Sequence, residues 1–234
     1  MRLVCLSDLH GQLPENLPVA DILLIAGDIC PVFDHSYGFQ KCWLETNFTE
    51  WIKKTQKRIP NVVYIAGNHD FIFEKVKYRP GPHVTWNDRF SVRVMDKVYY
   101  LQDEGIKIGN LKIWGTPWQK RYFDWAFNLD EPQLAEKWQL IPSDTDIILC
   151  HGPAYGYGDA VLSRNGDEEK WPEIEHVGSP SMLKKIDEIN PKLYVCGHIH
   201  SGYGIKMRGE TTLVNASYVN EQYKPVNKPI VVEI

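Results

Sequence analysis

The chain has 234 residues, 43% of them hydrophobic and 24% charged, and its formal net charge at pH 7 is −4. This composition is typical of a globular protein, and the length predicts one large α/β domain over 1–234. The sequence pI of about 6.1 disfavours nucleic acid as the main partner. No apolar stretch approaches the length of a membrane span, so no membrane partner is expected.

The N-terminus and the cysteines predict a cytoplasmic location. The first ten residues read as a strand that carries Asp8 and His10, so we expect no cleaved leader there. The five cysteines are an odd number without a CxxC pair, which is typical of reduced thiols in a reducing compartment.

The first third of the chain alternates predicted strands with a helix. Apolar and β-branched runs predict buried strands at 3–10, 21–28 and 62–70. Between the second and third runs, the spacing of apolar residues predicts an amphipathic helix over 37–59, which Pro60 ends. This order predicts a strand–helix–strand unit with parallel pairing.

The remainder of the chain predicts a second set of strands. In chain order the elements are a hairpin at 106–115, a helix at 131–140, a strand at 144–153, a helix at 180–190, a strand at 192–200, a hairpin at 203–217 and a last strand at 229–234. The polar, glycine-rich segment 154–180 is expected to be a long loop, either a lid or binding loop or a surface excursion without a role. The fold class predicted is α/β, with two mixed β-sheets packed face to face and flanking helices, an αββα sandwich.

Five of the predicted strands end in polar, chemistry-bearing side chains. These are Asp8 and His10, Asp28, Asn68 and His69, His151, and His198 and His200. Because ligands bind outside the carboxyl ends of strands in open α/β sheets, we expect these side chains to converge in one crevice. The other histidines, His35, His83 and His176, lie in polar segments and have only a weak claim to function.

The residue types at these strand ends indicate a metal site. Side chains two residues apart on an extended segment point the same way, so Asp8 with His10, and His198 with His200, can reach one pocket. Carboxylate, amide and imidazole ligands suit Mn, Fe, Zn or Mg better than a thiolate site would. Seven candidate ligands are too many for one ion, but they suffice for two ions that share a bridging carboxylate.

The motifs D-x-H, G-D, G-N-H-D, H-G-P and G-H-x-H, in this order, resemble the signature of the calcineurin-like metallophosphoesterase superfamily. From about residue 98 onward, stretches such as INPKLYVCGHIHSGYG resemble the animal metallophosphoesterase-domain-containing proteins and their bacterial relatives. That group is similar to class III cyclic-nucleotide phosphodiesterases. The resemblance implies a calcineurin-like fold and a metal-dependent phosphoric ester hydrolase.

The resemblance also implies which residues bind two neighbouring divalent ions. The ligands of the first ion would be Asp8, His10 and His200. The ligands of the second ion would be Asn68, His151 and His198, with Asp28 bridging both ions. Some animal members carry glycine in place of the first histidine of G-H-x-H and bind metal poorly, whereas His198 is present here. Manganese is the first expectation, and Fe, Zn, Mg, Co and Ni stay open.

Further residues are implied to face the substrate. His69, as an imidazolium oriented by Asp70, would protonate or stabilise the leaving alkoxide, and Asn68 and His69 would contact the phosphate. The aromatic stretch 115–125 is equally compatible with packing and with stacking on a nucleobase, and Trp118 is the candidate contact within it.

These features together predict a dinuclear metal-dependent phosphodiesterase of a small phosphodiester, with a nucleotide or cyclic nucleotide first, acting through a metal-bridging hydroxide. Asp28 is followed by ICPVFD and not by the arginine that protein phosphatases of this superfamily carry, which argues against a protein phosphatase. A phosphomonoesterase, a nuclease disfavoured by the charge, and a nucleotide-binding protein with weak activity are the alternatives. A homodimer also stays open.

Overall fold

The computed structural model describes residues 1–77, 95–163 and 173–234. The strands are β1 (Arg2–Leu6), β2 (Ile22–Ile25), β3 (Asn61–Tyr64), β4 (Val98–Tyr100), β5 (Glu104–Ile108), β6 (Leu111–Thr116), β7 (Gln119–Lys120), β8 (Asn128–Leu129), β9 (Ile147–Cys150), β10 (Ala160–Ser163), β11 (Glu173–His176), β12 (Leu193–Cys196), β13 (Gly204–Arg208), β14 (Thr211–Asn215) and β15 (Ile230–Glu233). The helices are α1 (Tyr37–Trp43), α2 (Thr49–Thr55), α3 (Phe71–Lys77), α4 (Glu131–Trp138) and α5 (Pro180–Ile189). A π-helical turn, Leu44–Phe48, joins α1 to α2, and a 3-10 turn, His200–Gly202, follows β12.

Two large mixed sheets form the centre of the fold. The first sheet has the order β15-β1-β2-β3-β4, and the second has the order β13-β14-β12-β9-β6-β5. In each sheet the inner strands are parallel, while β15, β13 and β5 pair antiparallel at the edges. The expected fold class is confirmed, and the parallel strands bring their carboxyl ends to one edge of the sandwich.

Alternation along the strands separates three hydrophobic layers. Leu24 of β2 and Leu149 of β9 belong to the cluster shared by the two sheets. Their neighbours point the other way, so Leu23 packs with the π-helical turn and α2, and Ile148 packs with α4 and α5. Because successive side chains of a strand face opposite sides, both faces of each sheet are buried, and this gives the αββα arrangement.

The predicted helix over 37–59 forms as a nearly continuous helical segment with one irregularity. The Ser36 side chain caps its start by accepting from the backbone N–H of Phe39, and α2 ends at Thr55. The π-helical turn inserts between α1 and α2, a local change of register that the spacing of apolar residues does not reveal.

The segment 154–180 is not the continuous loop that we expected. Within its described part, β10 pairs antiparallel with β11, and α5 begins at Pro180. Leu162 and Ile174, which lie opposite each other in this hairpin, are both largely exposed. Because the hairpin buries little apolar surface, it carries no strong hydrophobic period, and the sequence pattern failed to identify it. Residues 164–172, and His83 in the earlier gap, lie outside the described residues.

Among the described residues, no helix is both long enough and apolar enough to cross a membrane.

Candidate metal centre

Sharp backbone turns at the strand ends place the candidate ligands. Asp8, His10, Asp28 and His198 have φ angles of 52°, 44°, 52° and 67°, in the left-handed region that side chains other than glycine seldom adopt. Such strain persists where the surrounding structure enforces it, and it clusters at functional sites. Four of the seven candidate ligands share this feature.

Two glycines make room for the carboxylates at these turns. A Cβ atom on Gly67 would lie 2.3 Å from Oδ1 of Asp28, and one on Gly197 would lie 2.1 Å from Oδ2 of Asp8. Both distances are well inside van der Waals contact, so the close approach of backbone to carboxylate requires glycine at both positions.

The first group of ligands joins β1 to the turn after β12. Nε2 of His10 lies 3.3 Å from Nε2 of His200, and Nε2 of His200 lies 3.5 Å from Oδ1 of Asp8. Nε2 of His10 is 3.6 Å from Oδ2 of Asp28. These atoms converge as the ligands of one ion would.

The second group lies beside the first. Oδ1 of Asn68 is 2.9 Å from Nε2 of His151 and 2.7 Å from Nδ1 of His198. Oδ2 of Asp28 lies 3.5 Å from Nε2 of His151, so the same carboxylate oxygen faces both groups. The structure therefore brings together all seven predicted ligands, with Asp28 between the two groups.

Hydrogen bonds behind the ligands orient them. Nδ1 of His151 donates to the carbonyl oxygen of Ala26 at 2.7 Å, and Nδ1 of His200 donates to that of Asn220 at 2.9 Å. Each bond keeps a proton on Nδ1, so Nε2 is the nitrogen that faces the centre and the one that binds metal once the ring is neutral. Ser217 donates to Oδ2 of Asp8 at 2.8 Å, a contact that sequence reasoning missed.

The two buried carboxyl groups are held in the charged form. Burial alone would raise the pKa of Asp8, but its hydrogen bond with His200 and the electrostatic attraction of His200 and His151 together hold the pKa below its ordinary value. Burial also opposes ionisation of Asp28, yet the nearby His151 and His69 hold its pKa well below its ordinary value. Both side chains are therefore anionic at neutral pH.

Burial sets the charge of the histidines around these carboxylates. Burial lowers the pKa of His10 and of His198 to about 4, so both rings are neutral at pH 7 and can bind metal. Burial works the same way on His151, but the Asp28 carboxylate outweighs it and raises the pKa of His151 to about 9. A metal ion at this position must displace that proton.

The donor set fits divalent metal ions. Within the described part of the chain, three groups of side chains could hold an ion, and the ligand atoms of each group lie within 4.8 Å of one another. The groups draw on Asp8, Asp28 and histidines, and one of them includes His69. Nδ1 of His10 is buried without a hydrogen-bond partner among the described residues. Oxygen and imidazole donors at a buried edge, without a thiolate, are the ligands of Mn, Fe, Zn or Mg.

The surroundings of His69 differ from our expectation. The carboxylate of Asp70 accepts backbone N–H groups of Ile29, Cys30 and Gly67, so it joins the turns after β2 and β3 and does not orient the His69 ring. Burial lowers the pKa of His69 to about 3, so its ring is neutral and not an imidazolium. The orienting role that the resemblance implies for Asp70 is therefore not what its contacts show.

Nδ1 of His69 instead lies 3.2 Å from Nε2 of His35, a residue to which the sequence gave only a weak claim. The indole of Trp125 packs edge-on against the His69 ring, with the two ring centroids 3.7 Å apart. The sequence indicates these contacts only through the aromatic stretch 115–125, in which Trp118, and not Trp125, is the predicted substrate contact.

A cavity of about 640 Å³ opens beside the two groups of ligands. Its lining includes His198, His200, Trp118, Tyr122 and Tyr223, together with residues of β10 and β11. Trp118 lies in the wall with its indole N–H donated to Asp103, and Lys137 covers one ring face at 4.4 Å.

Tyr223 is a further residue of the site that sequence reasoning missed. Its φ angle is 57°, and its ring centroid lies 4.9 Å from that of His10 and 5.8 Å from that of His200. The ring is held over the first group of ligands by a tight turn in which the Tyr223 N–H donates to the carbonyl of Asn220. A short polar loop before the last strand gave no signal for this placement.

This arrangement can be compared with known proteins. Residues 1–202 match the family model of calcineurin-like phosphoesterases. The chain belongs to this family. Metallophosphoesterase domain-containing protein 1 of Homo sapiens is 33% identical over 251 residues, a match that covers 100% of this chain and 71% of the human protein. UPF0046 protein T07D4.2 of Caenorhabditis elegans is 31% identical over 259 residues, covering 100% of this chain and 60% of the nematode protein.

Solved structures of similar fold support the same architecture. The protein TT1561 of Thermus thermophilus superposes with a TM-score of 0.55 at 16% identity, covering 92% of this chain and 88% of that one. Phosphopantetheinyl hydrolase of Mycobacterium tuberculosis gives a TM-score of 0.52 at 15% identity, with 94% and 90% covered. At these identities the likeness is one of fold. Membership of the family makes this calcineurin-like phosphoesterase a metal-dependent phosphoester hydrolase by descent, and its buried ligand groups fit that chemistry.

Proposed function

We propose that the protein is a dinuclear metal phosphodiesterase that hydrolyses a small phosphodiester, with a nucleotide or cyclic nucleotide as the first candidate. The observation that carries this proposal is the single Asp28 oxygen that faces His10 on one side and His151 on the other, at 3.6 and 3.5 Å. Asp8, His10 and His200 would hold the first ion and Asn68, His151 and His198 the second, and we propose manganese for both. When bound, such a pair of ions supplies Lewis-acid charge and activates water as the nucleophile at neutral pH.

The chain's own groups support the remaining steps. Asp28 and Asp8 are anionic and buried, so they attract divalent ions to an edge from which water is largely excluded. The side chain of His69 lies next to this edge, with Nε2 4.0 Å from Oδ2 of Asp28, where it can donate a hydrogen bond to an oxygen of the phosphate or of the leaving group.

The adjoining cavity favours a diester over a monoester. It extends away from His198 and His200 between Trp118 and the β10–β11 hairpin, which leaves room for a second alcohol on phosphorus. Among the described residues, two cations line it: Arg121 is paired with Asp130 at 2.8 Å, and Lys120 carries a second positive charge. The room for a second alcohol, and not the charge of the lining, is therefore what favours the diester.

The test compares two aryl substrates on manganese-loaded protein, bis(p-nitrophenyl) phosphate and p-nitrophenyl phosphate, each with and without a chelator. We expect faster turnover of the diester, and its loss on chelation. Asp28→Asn is the matched control for the metal site, because it keeps the size of the side chain and removes the negative charge that the two ions would share. Faster turnover of the monoester would contradict the proposal and favour a phosphatase. A loaded protein that hydrolyses neither would favour a nucleotide-binding role.

A further inference from the structure

His35 makes a contact that the metal ligands do not explain. Its Nε2 atom lies 3.2 Å from Nδ1 of His69, which is a hydrogen-bond distance. A hydrogen bond between the two facing nitrogens needs a proton on one of them and a lone pair on the other, so one ring donates and the other accepts. The direction of this bond determines which nitrogen of His69 is protonated.

The chain holds His35 in place from both sides. Oδ1 of Asp34 accepts the backbone N–H of Ser36 at 2.8 Å, which closes a turn around His35 just before α1. Its ring packs against Phe71 at a centroid distance of 5.1 Å and against Trp125 at 5.7 Å. This side chain is therefore packed in place and is not a free surface group.

The same segment also holds the backbone of His69. Gln40, buried in α1, donates from Nε2 to the carbonyl oxygen of His69 at 2.6 Å, and its Oε1 accepts the N–H of Ile72. The backbone N–H of His69 donates to Oδ1 of Asp28 at 2.7 Å. Because backbone and ring are both fixed, His69 has little freedom to choose another partner for Nδ1.

The far side of the ring faces Asp28. Nε2 of His69 lies 4.0 Å from Oδ2 of Asp28. A carboxylate attracts an N–H and repels a nitrogen lone pair, so this neighbour accommodates a proton on Nε2, and the contact with His35 is what keeps the proton off Nδ1. Nδ1 then carries the lone pair, and the hydrogen bond to it must come from the Nε2–H of His35.

We propose that His35 is a positioning residue that holds His69 in the tautomer with its proton on Nε2, directed at the metal centre. A second partner on the opposite nitrogen commonly fixes the tautomer of a functional histidine in this way. The consequence for catalysis rests on the proposed function, because a neutral His69 can then donate a hydrogen bond to a phosphoryl or leaving-group oxygen. The other tautomer would present a lone pair to that oxygen.

The direct test is nitrogen NMR of protein labelled with ¹⁵N-histidine, recorded without metal and with manganese replaced by diamagnetic zinc. The resonances of His69 are identified by their loss in His69→Gln. In the wild type we expect the Nε2 of His69 to show the shift of a protonated nitrogen and Nδ1 that of an unprotonated one. His35→Phe keeps the ring packing and removes the donor, so we expect a mixture of tautomers. His35→Gln keeps an N–H donor and should restore the wild-type pattern.

The proposal is overturned if the wild-type His69 carries its proton on Nδ1, or if His35→Phe leaves the tautomer unchanged. These readouts need no substrate, so they are separate from the proposed function. If the wild type hydrolyses no phosphoester while the tautomers behave as expected, the proposed function fails and the role of His35 in setting the tautomer stands.

A kinetic arm tests the consequence of this tautomer for catalysis. We expect His35→Phe to lower kcat by about tenfold to a hundredfold, less than the 10²–10⁴ of complete removal of an acid–base group, with KM and metal content near wild type. His35→Gln should recover most of the loss. Phe33→Ala is the matched control, since Phe33 is exposed on the same segment and contacts Phe39. A tautomer shift with unchanged kcat would overturn the positioning role.

Discussion

His198 separates a site for two ions from a site for one. Its Nδ1 lies 2.7 Å from Oδ1 of Asn68, and its backbone has a φ angle of 67°. His198→Gly removes the ligand while the backbone keeps a conformation that glycine adopts without strain. We expect metal content to fall from near two ions per chain to near one, measured by elemental analysis of the purified protein.

A folded His198→Gly chain that still holds two ions would contradict the assignment of His198 as a ligand. His198→Asn is the control, because asparagine tolerates the left-handed region and offers an oxygen donor, so it should retain part of the second ion.

The side chain of His69 is expected to act on the substrate and not to hold the metals. His69→Ala should lower kcat by about 10²–10⁴-fold because the proton donor is lost. Its metal content should stay near wild type, which equilibrium dialysis with manganese would measure. His176→Gln, a change at a histidine bonded to Asp159 on the β10–β11 hairpin, is the matched control and should keep kcat. Loss of metal from His69→Ala would instead identify His69 as a ligand, which its place in one candidate group with His10 and Asp28 allows.

At the scale of elements, the turn after β3 packs tightly against the turn after β2. A Cβ on Gly67 would lie 2.3 Å from Oδ1 of Asp28 and 2.5 Å from its backbone nitrogen, so the turn after β2 would have to move. We expect Gly67→Ala to lower the free energy of unfolding by about 1–3 kcal/mol, as overpacking does elsewhere. Manganese affinity should fall with it because Asp28 is displaced. Chemical denaturation and metal titration measure the two effects.

Gly38 in α1 provides the comparison. Nothing lies within 4 Å of a Cβ placed there, so Gly38→Ala should be neutral or raise the free energy of unfolding by up to about 1 kcal/mol through helix propensity. Equal effects of the two substitutions would show that crowding at Gly67 is not what matters.

For the whole molecule, the buried histidines predict a stability maximum near pH 6.5 in the absence of metal. The folded-state pKa of His10 and of His198 lies near 4, below the ordinary 6.5, so the unfolded chain binds more protons between these values and stability falls as the pH is lowered. The folded-state pKa of His151 lies near 9, so its stabilisation is present below pH 6.5 and is lost as the pH rises towards 9.

Each such proton changes the free energy of unfolding by about 1.4 kcal/mol per pH unit within its window. Thermal unfolding of the chelated protein between pH 4.5 and 9 should therefore show Tm falling on both sides of the maximum. Saturating manganese should raise Tm most at alkaline pH, where His151 loses its proton readily. A Tm that rises steadily to pH 9 without metal would contradict the raised pKa of His151.

Local chain chemistry was sufficient for most of the framework. Continuous apolar runs such as 21–28 and 62–70 predicted strands buried on both faces. Such predictions succeed because the periodicity and composition of a strand are local properties of the sequence. The rule that parallel strands bring their carboxyl ends to one edge then collected Asp8, Asp28 and His151 at a common site. The hairpin of β10 and β11 escaped this kind of prediction because it buries too little apolar surface to produce a hydrophobic period in the sequence.

Contacts between distant segments needed the assembled sandwich. The resemblance implies that Asp70 orients His69, but its oxygens accept from Ile29, Cys30 and Gly67, whose N–H groups meet it only when β2 and β3 lie side by side. His35 and Tyr223 reach the centre from loops of no distinctive pattern, and their side chains find His69 and His10 through packing across the chain. Strand ends determine which groups can bind metal, whereas the packing of the two sheets and their loops determines which nitrogen of each imidazole faces the centre.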